Sequence, residues 1–328
     1  MIRVRMAALG LRVRPQEPCM STVLPPTISV LVSSYNYAPY IVEAVQSALA
    51  QTQPPLEIVV VDDGSTDDSV ARVRAAFADQ PGIRLIEQAN AGQLSAWRTG
   101  FAASRGQVIA LLDSDDRWSP EYLARVTATY QQMPSADFVF CNMRLFGTVE
   151  RDLHAPGADR DLGLSVVLGS FYPRWQGVAT SGLTLRRELM GRLLDLPPAM
   201  ATQWVTRPDD CLVVGADIFG AHKVYIGEPL VGHREHERNA LAGYQRSRLQ
   251  NARYSYRVAG MLAHYRQRAG ITDQWLSCAK AEFRTKPKPR LRELGWYWRL
   301  LGMANLPLLQ RWEQRFAIVG HYLKGLRA

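Results

Sequence analysis

Apolar runs and helical spacings alternate along the first 140 residues of the chain in a regular rhythm. Ile28 to Ser34 is rich in β-branched residues and reads as a buried strand. Ile41, Val45, Ala48 and Leu49 recur at helical spacing within Tyr40 to Gln51, and Pro54 and Pro55 close that segment. A second strand is predicted at Ile58 to Val61, followed by a helix capped by Ser65 to Asp68 and running to Ala78. After the Pro81-Gly82 turn comes a short strand at Ile83 to Glu87, then a helix from Leu94 to Ser104 that Gly106 ends. Val108 opens the next strand. Pro120 to Met133 reads as a helix with proline at its start, where a missing N–H costs little, and Phe138 to Cys141 as a strand. Strand and helix in alternation predict a parallel sheet with right-handed crossovers. The polar, patternless stretch Gly147 to Asp161 reads as a loop able to close over a substrate.

The candidate chemistry sits where the strands end. In VIALLDSDDRW, Val108 to Trp118, an apolar run of five leads into Asp113, Asp115 and Asp116, and open α/β sheets take their ligands at the carboxyl ends of strands. Three carboxylates within four residues repel one another unless a cation lies between them, and a hard divalent ion such as Mg²⁺ or Mn²⁺ suits oxygen ligands. The plain alternative is a solvated acidic loop that caps the next helix. A second acidic turn, VVVDDGSTDDS from Val59 to Ser69, follows another apolar strand. In a parallel sheet the two turns can lie side by side.

These two motifs, with TISVLVSSYN ahead of them, resemble the family 2 glycosyltransferases, and the likeness runs from about Thr27 to Asn239. The resemblance implies an α/β fold of GT-A type, a mostly parallel sheet flanked by helices, followed here by a C-terminal helical extension. It implies that Ser33 and Tyr35 hold the nucleotide base, that Asp63 accepts the base N–H, and that Asp62 steadies the loop or the ribose. Asp113, Ser114 and Asp115 form the D-x-D element, with Asp116 a third candidate ligand, binding the ribose and a divalent metal (Mn or Mg) between the phosphates.

Further along, TSGLTLRREL, Thr180 to Leu189, resembles the family's acceptor-side segment. RPDDCLVVGADIFGA places Asp209 and Asp210 before an apolar run of helical spacing, and resembles the acidic pair beneath the donor sugar. Asp210 is then the expected general base and Asp209 the next choice, although two carboxylates at a helix N-terminus also serve simply as dipole partners. In KVYIGEPLVGHREHERNAL the resemblance sets His236 and Asn239 at the family's His and Asn positions, with His236 reaching the metal or the diphosphate. A surface histidine is the plain alternative. The chain departs from the family at Ala96-Trp97-Arg98-Thr99-Gly100, where Arg98 replaces the usual Asn and is expected to meet a phosphate or a carboxylated sugar.

Composition adds a division of the chain. Of the +9 formal charge, residues 241–328 carry 17 Lys and Arg against 4 Asp and Glu, a net of +13, which leaves the first 240 residues at −4. A disordered leader over 1–24, with Met20 as an alternative start, a catalytic domain over 25–240 and a basic, aromatic-rich helical extension over 241–328 are therefore expected. Arginines beside Trp296, Tyr297, Trp298 and Trp312 suit an anionic membrane surface. The same mixture can bind RNA, the less favoured partner, or simply pack on the catalytic domain. Cys19, Cys141, Cys211 and Cys278 form no CxxC pair, and with no apolar run of spanning length a cytoplasmic protein, peripheral at the inner membrane face, is expected.

The expected function is an inverting, metal-assisted transfer of a sugar from a nucleoside-diphosphate sugar, UDP-linked, to a hydroxyl of a glycan or lipid-linked saccharide. A nucleotidyltransferase would need a Gly-rich basic loop after the first strand, and SSYNYAPY is not one. A non-catalytic sugar-nucleotide or nucleic-acid binding module on the same fold is the alternative. The joint presence of Asp113, Asp115 and Asp210 argues against it.

Overall fold

The structure is a computed structural model that describes residues 24–204, 207–236 and 247–327. The expected leader and the boundary after residue 240 lie outside these residues, as does Asn239.

Strands β1 (Ile28–Ser34), β2 (Glu57–Asp62), β3 (Ile83–Glu87) and β4 (Val108–Asp113) alternate with helices α1 (Ile41–Leu49), α2 (Ser69–Phe77) and α3 (Gln93–Ala103). They pair in parallel in the order β3-β2-β1-β4. Both faces of β1, β2 and β4 are buried, which is why these strands are continuous Val, Ile and Leu runs and not alternating ones. Tight approach also fixes composition. A Cβ at Gly106 would lie 2.4 Å from the Ser29 backbone nitrogen. Gly64, in the turn after β2, has φ +78° and would meet the Asn90 nitrogen at 2.8 Å.

Beyond β4 the sheet becomes mixed, which strand–helix alternation alone did not predict. The chain runs on through β5 (Arg117–Trp118), α4 (Tyr122–Gln132), β6 (Phe138–Gly147), β7 (Arg151–Asp152), β8 (Arg160–Gly163) and α5 (Val166–Phe171). Then come β9 (Leu183–Arg186), α6 (Arg187–Leu194), α7 (Pro198–Ala201), α8 (Asp209–Ile218) and β10 (Lys223–Glu235). β9 is antiparallel to both β4 and β6, whereas β6 and β10 form a long parallel pair. Gly147 to Asp161 is therefore not a bare loop. It carries β7 and the start of β8, which pair with β6 and β10.

The C-terminal helices are α9 (Arg248–Arg268), α10 (Ala279–Phe283), α11 (Leu291–Met303) and α12 (Leu308–Gly325). Met261 and Tyr265 of α9 enter the main core, and α10 to α12 close a smaller core with Val167 and Leu168 of α5. Glu282 joins the two parts by accepting from the Val167 and Leu168 amides at 2.7 and 3.1 Å and from the Tyr297 hydroxyl at 2.6 Å. The extension thus packs on the sheet domain, as one of its three expected roles required. No described helix is long and apolar enough to cross a membrane.

Candidate active site

The sheet brings the two acidic turns to one edge. β2 and β4 flank β1 in register, pairing Ser34 with Asp62 and Ser33 with Asp113. Asp62 accepts from the Ser65 amide at 2.8 Å and its hydroxyl at 2.6 Å, so it shapes the turn. Asp63 accepts from Gln88 Nε2 at 2.6 Å and from the Ala91 and Gly92 amides at 3.0 and 2.7 Å. It thereby ties the entry to α3 onto the end of β2. Tyr35 stands exposed at the mouth, and Ser114 is buried.

The three carboxylates after β4 separate into different jobs. Asp116 is fully buried, and its oxygens are taken by the Ser181 hydroxyl at 2.6 Å, His233 Nδ1 at 3.0 Å and the Arg234 amide at 2.8 Å. This corrects the expectation that Asp116 is a third metal ligand. Burial alone would lower the His233 pKa, but the charges of Asp116, Asp113 and Asp115 raise it to about 9, so the ring is an imidazolium at neutral pH. The cluster therefore has a counter-charge that the sequence reading did not assign.

Asp113 and Asp115 remain turned toward the sheet edge. Asp113 accepts from Gln93 Nε2 at 2.5 Å, and the same nitrogen reaches Ser33 Oγ at 3.1 Å. Asp115 Oδ2 lies 3.1 Å from His236 Nε2. Both carboxyl groups are pushed up, first by burial and then by the neighbouring like charges. The same two causes push up the Tyr37 hydroxyl, whose ring stands edge-on to His236 at 5.8 Å. Among the described residues no three His, Cys, Asp or Glu side chains are gathered closely enough to hold a metal ion. Of the residues expected to ligate one, Asp115 and His236 are in contact, and Asp113 is held by Gln93.

Arg98 does not reach the site. Its guanidinium donates to the Leu194 carbonyl at 2.7 and 2.9 Å and to the Leu196 carbonyl at 2.7 Å, clamping α3 to the end of α6. That corrects the expected phosphate contact: the carbonyls at and just past the end of α6 claimed the cation.

Across the edge, Asp209 and Asp210 open α8 as predicted. Burial and the Asp210 charge raise Asp209 to about 6, and Asp209 is near enough for its charge to push Asp113 up in turn. Asp210 is buried and accepts from Arg207 at 3.1 Å and from the Tyr254 hydroxyl at 2.5 Å.

The model of glycosyl transferase family 2 matches residues 29–177. A glycosyltransferase of Nostoc sp. is 36% identical over 221 residues, covering 65% of this chain and 66% of that protein. Residues 29–177 belong to family 2 of the glycosyltransferases. The chain spans just under two thirds of that relative and 14%, 33% and 29% of three further curated relatives. Among solved structures, Staphylococcus aureus TarS 1–349 in complex with UDP is 18% identical with a TM-score of 0.57, covering 90% of this chain and 89% of that one. The mannosyltransferase PcManGT from Pyrobaculum calidifontis, in complex with GDP-Man and Mn²⁺, is 21% identical with a TM-score of 0.50, covering 93% and 88%. At these identities the structural likeness establishes the fold.

Several members of this family 2 site escaped the sequence reading. Gln93, Ser181, His233 and Tyr254 are ordinary polar residues far along the chain from the acids they meet, and Arg207, two residues before Asp209, reaches Asp210 by a local contact. Ser181 lay within the segment assigned to the acceptor side. His233 sits three residues before the histidine that was singled out.

Proposed function

We propose that the chain transfers a sugar from a UDP-linked donor to a hydroxyl of a glycan or lipid-linked saccharide, in one displacement that inverts the anomeric centre. The observation that carries this reading is the shared sheet edge, where Asp62-Asp63 and Asp113 close β2 and β4 on the two sides of Ser33-Ser34. TarS was solved with UDP, which supports that nucleotide for the donor.

In this reading Ser33 and Tyr35 meet the base, and Asp63, with three of about four lone-pair positions already used, accepts one more N–H from it. Asp113 and Asp115, with His236 beside Asp115, are the residues that hold a divalent cation, as the Mn²⁺ of the mannosyltransferase suggests. When bound, such a cation offsets the charge that develops on the departing diphosphate. Asp209, whose charge reaches Asp113, serves the donor side. Asp210 takes the proton of the acceptor hydroxyl, which attacks from the face opposite the diphosphate.

Release of UDP from UDP-sugars, followed with and without an added glycan acceptor, tests the reading. The expected result is acceptor-dependent release that needs Asp113 and Asp210. Tight binding of UDP-sugars with no turnover for any acceptor would favour the binding-module alternative.

A second proposal concerns placement at the inner face of an anionic membrane. Leu309, Trp312, Phe316 and Leu323 recur at helical spacing along α12 and are exposed, on a segment of net charge +13. Such a stripe buries its apolar side chains among headgroups while nearby cations meet lipid phosphates.

A further inference from the structure

Arg117, Gly232 and Arg144 lie in one row across three neighbouring strands. Gly232 of β10 pairs with Arg117 of β5 on one side and with Arg144 of β6 on the other. Residues paired in this way turn their side chains to the same face of a sheet, and at ordinary strand spacing the two arginine Cα atoms stand about 10 Å apart. The position between them has no side chain.

That glycine keeps a gap open. A Cβ at Gly232 would lie 3.0 Å from the Phe146 ring and 3.2 Å from Arg117 Cγ. The two arginines and the glycine line a cleft of about 480 Å³, with Pro120 and Pro229 as apolar walls and Glu150 at its rim. Sites for small molecules are commonly about 300 to 1,000 Å³. Neither Asp113, Asp115 nor His236 lines the cleft, so it is separate from the edge that carries the acidic turns.

Both guanidiniums keep unused donors. Arg117 donates through Nη1 to Glu43 Oε1 at 3.0 Å and lies 4.2 Å from the Phe146 ring centroid. Arg234 lies 4.4 Å from the same centroid and donates to the other Glu43 oxygen at 2.5 Å, so Phe146 and Glu43 hold Arg117 in place before any ligand arrives. Arg144 meets the Glu150 carboxylate at 3.5 Å, too long for a good hydrogen bond. Neither guanidinium makes a further hydrogen bond among the described residues, and the two side chains are 51% and 58% exposed. Surface arginines alone do not mark a site. Two that flank a glycine-opened cleft with free N–H groups offer the fork geometry that carboxylates and phosphates take.

We propose that this cleft is a second ligand site, and that it binds a small anionic sugar carrying a carboxylate or a phosphate. The anion takes the free N–H groups of Arg117 and Arg144, and the C–H face of the sugar ring rests against the two prolines. Glu150 opposes the anion from the rim and competes with it for Arg144.

The test is calorimetric titration of the full chain with glucuronate, glucose 6-phosphate, inorganic phosphate and glucose. Glucuronate against glucose 6-phosphate distinguishes the two kinds of anion, and glucose should not bind. Arg144→Ala should weaken binding of the preferred sugar about tenfold or more, the worth of a hydrogen bond to a charged group. Its exposed ion pair contributes little to stability, so the variant should fold normally. Glu150→Gln should tighten binding about two- to fivefold, the scale of an exposed ion pair, a gain that a solvated Arg144 with no ligand to share does not give. Arg117→Ala should weaken binding too, but it also loses packing on Phe146, so Arg144 and Glu150 carry the test. Excess UDP with Mn²⁺ should leave these affinities unchanged. No binding of any probe, affinity unmoved by Arg144→Ala, displacement by UDP, or glucose binding as tightly as glucuronate overturns the assignment. Inorganic phosphate binding as tightly as glucose 6-phosphate overturns its sugar part.

Discussion

Ser33 and Asp113 stand opposite each other in the parallel pairing of β1 and β4, and one Gln93 amide nitrogen spans both, at 3.1 Å from Ser33 Oγ and 2.5 Å from Asp113 Oδ1. This bridge fixes where the half-buried Asp113 carboxylate points. Gln93→Leu keeps the size of the side chain and removes the donor. UDP-sugar affinity should fall about tenfold, in line with losing a hydrogen bond to a charged group, while the melting temperature changes little. Calorimetry beside thermal denaturation checks this, and unchanged affinity means Asp113 needs no such guide.

The acidic triplet predicts a division of labour that one experiment can expose. Asp115→Asn should weaken cation-dependent UDP binding and leave the fold intact. Asp116→Asn should instead destabilise the protein, since it removes the charged partner of the half-buried His233 imidazolium, a loss of about 1 to 3 kcal/mol. Urea denaturation and UDP titration with Mn²⁺ or EDTA, run on both variants, give the two readouts. Equal UDP affinity with Mn²⁺ and with EDTA in the unmodified protein removes the cation from the scheme.

Lys223 and Asp217 form an ion pair of 2.8 Å with both side chains about 1% exposed. Burial pushes the Asp217 carboxyl up to about 6 and the Lys223 amine down, so the pair is held against its own desolvation. Asp217→Asn should cost about 3 to 5 kcal/mol because it strands a buried ammonium, whereas Asp217→Leu with Lys223→Met should cost far less. If the double variant is as unstable as the single one, the pair contributes more than mutual neutralisation.

The half of the sheet from β1 to β4 was legible because β1, β2 and β4 are buried on both faces and each turn is marked by Gly, Pro or Asp. β10 was not. It is 13 residues long, contains Pro229 at a break in its pairing register with β6, and mixes charged with apolar positions because its end leaves the core to carry His233 and Arg234 into the site. Asp113, Asp115 and the Asp209-Asp210 pair were legible as acids at element ends. Which of them faces water, a cation or another side chain was not, because that depends on partners up to 121 residues away, such as His236 beside the Asp115 carboxylate. Arg98 failed for the same reason: nothing local shows that the carbonyls at the end of α6 will claim it.

The exposed stripe on α12 predicts reversible membrane binding. Co-sedimentation with phosphatidylserine vesicles should fall as salt rises, because the cations are screened, and Trp312→Glu with Phe316→Glu should abolish it without touching UDP affinity. Self-association of the unmodified chain without vesicles, lost in the same variant, would identify the stripe as a contact between copies instead.

The two carboxylates at the head of α8 predict different responses to pH. Asp209 titrates at about 6, raised first by burial and then by the Asp210 charge. Below that pH it is protonated and loses the charge-assisted hydrogen bond from a donor hydroxyl, so UDP-sugar affinity should fall between pH 7 and 5 while affinity for UDP itself stays level. In Asp210→Asn the neighbouring charge is gone and burial remains, so the limb should move to lower pH without vanishing. The same variant should bind donor and transfer sugar about 10² to 10⁴ times more slowly, the usual contribution of a positioned base. Asp209→Asn should instead abolish the pH limb in donor binding and slow transfer less. A limb that stays at its original pH in Asp210→Asn would show that the two carboxylates do not sense each other. Near-normal transfer by Asp210→Asn with a productive acceptor would place the base elsewhere, and Asp209, already poised near neutrality, is the residue to test next.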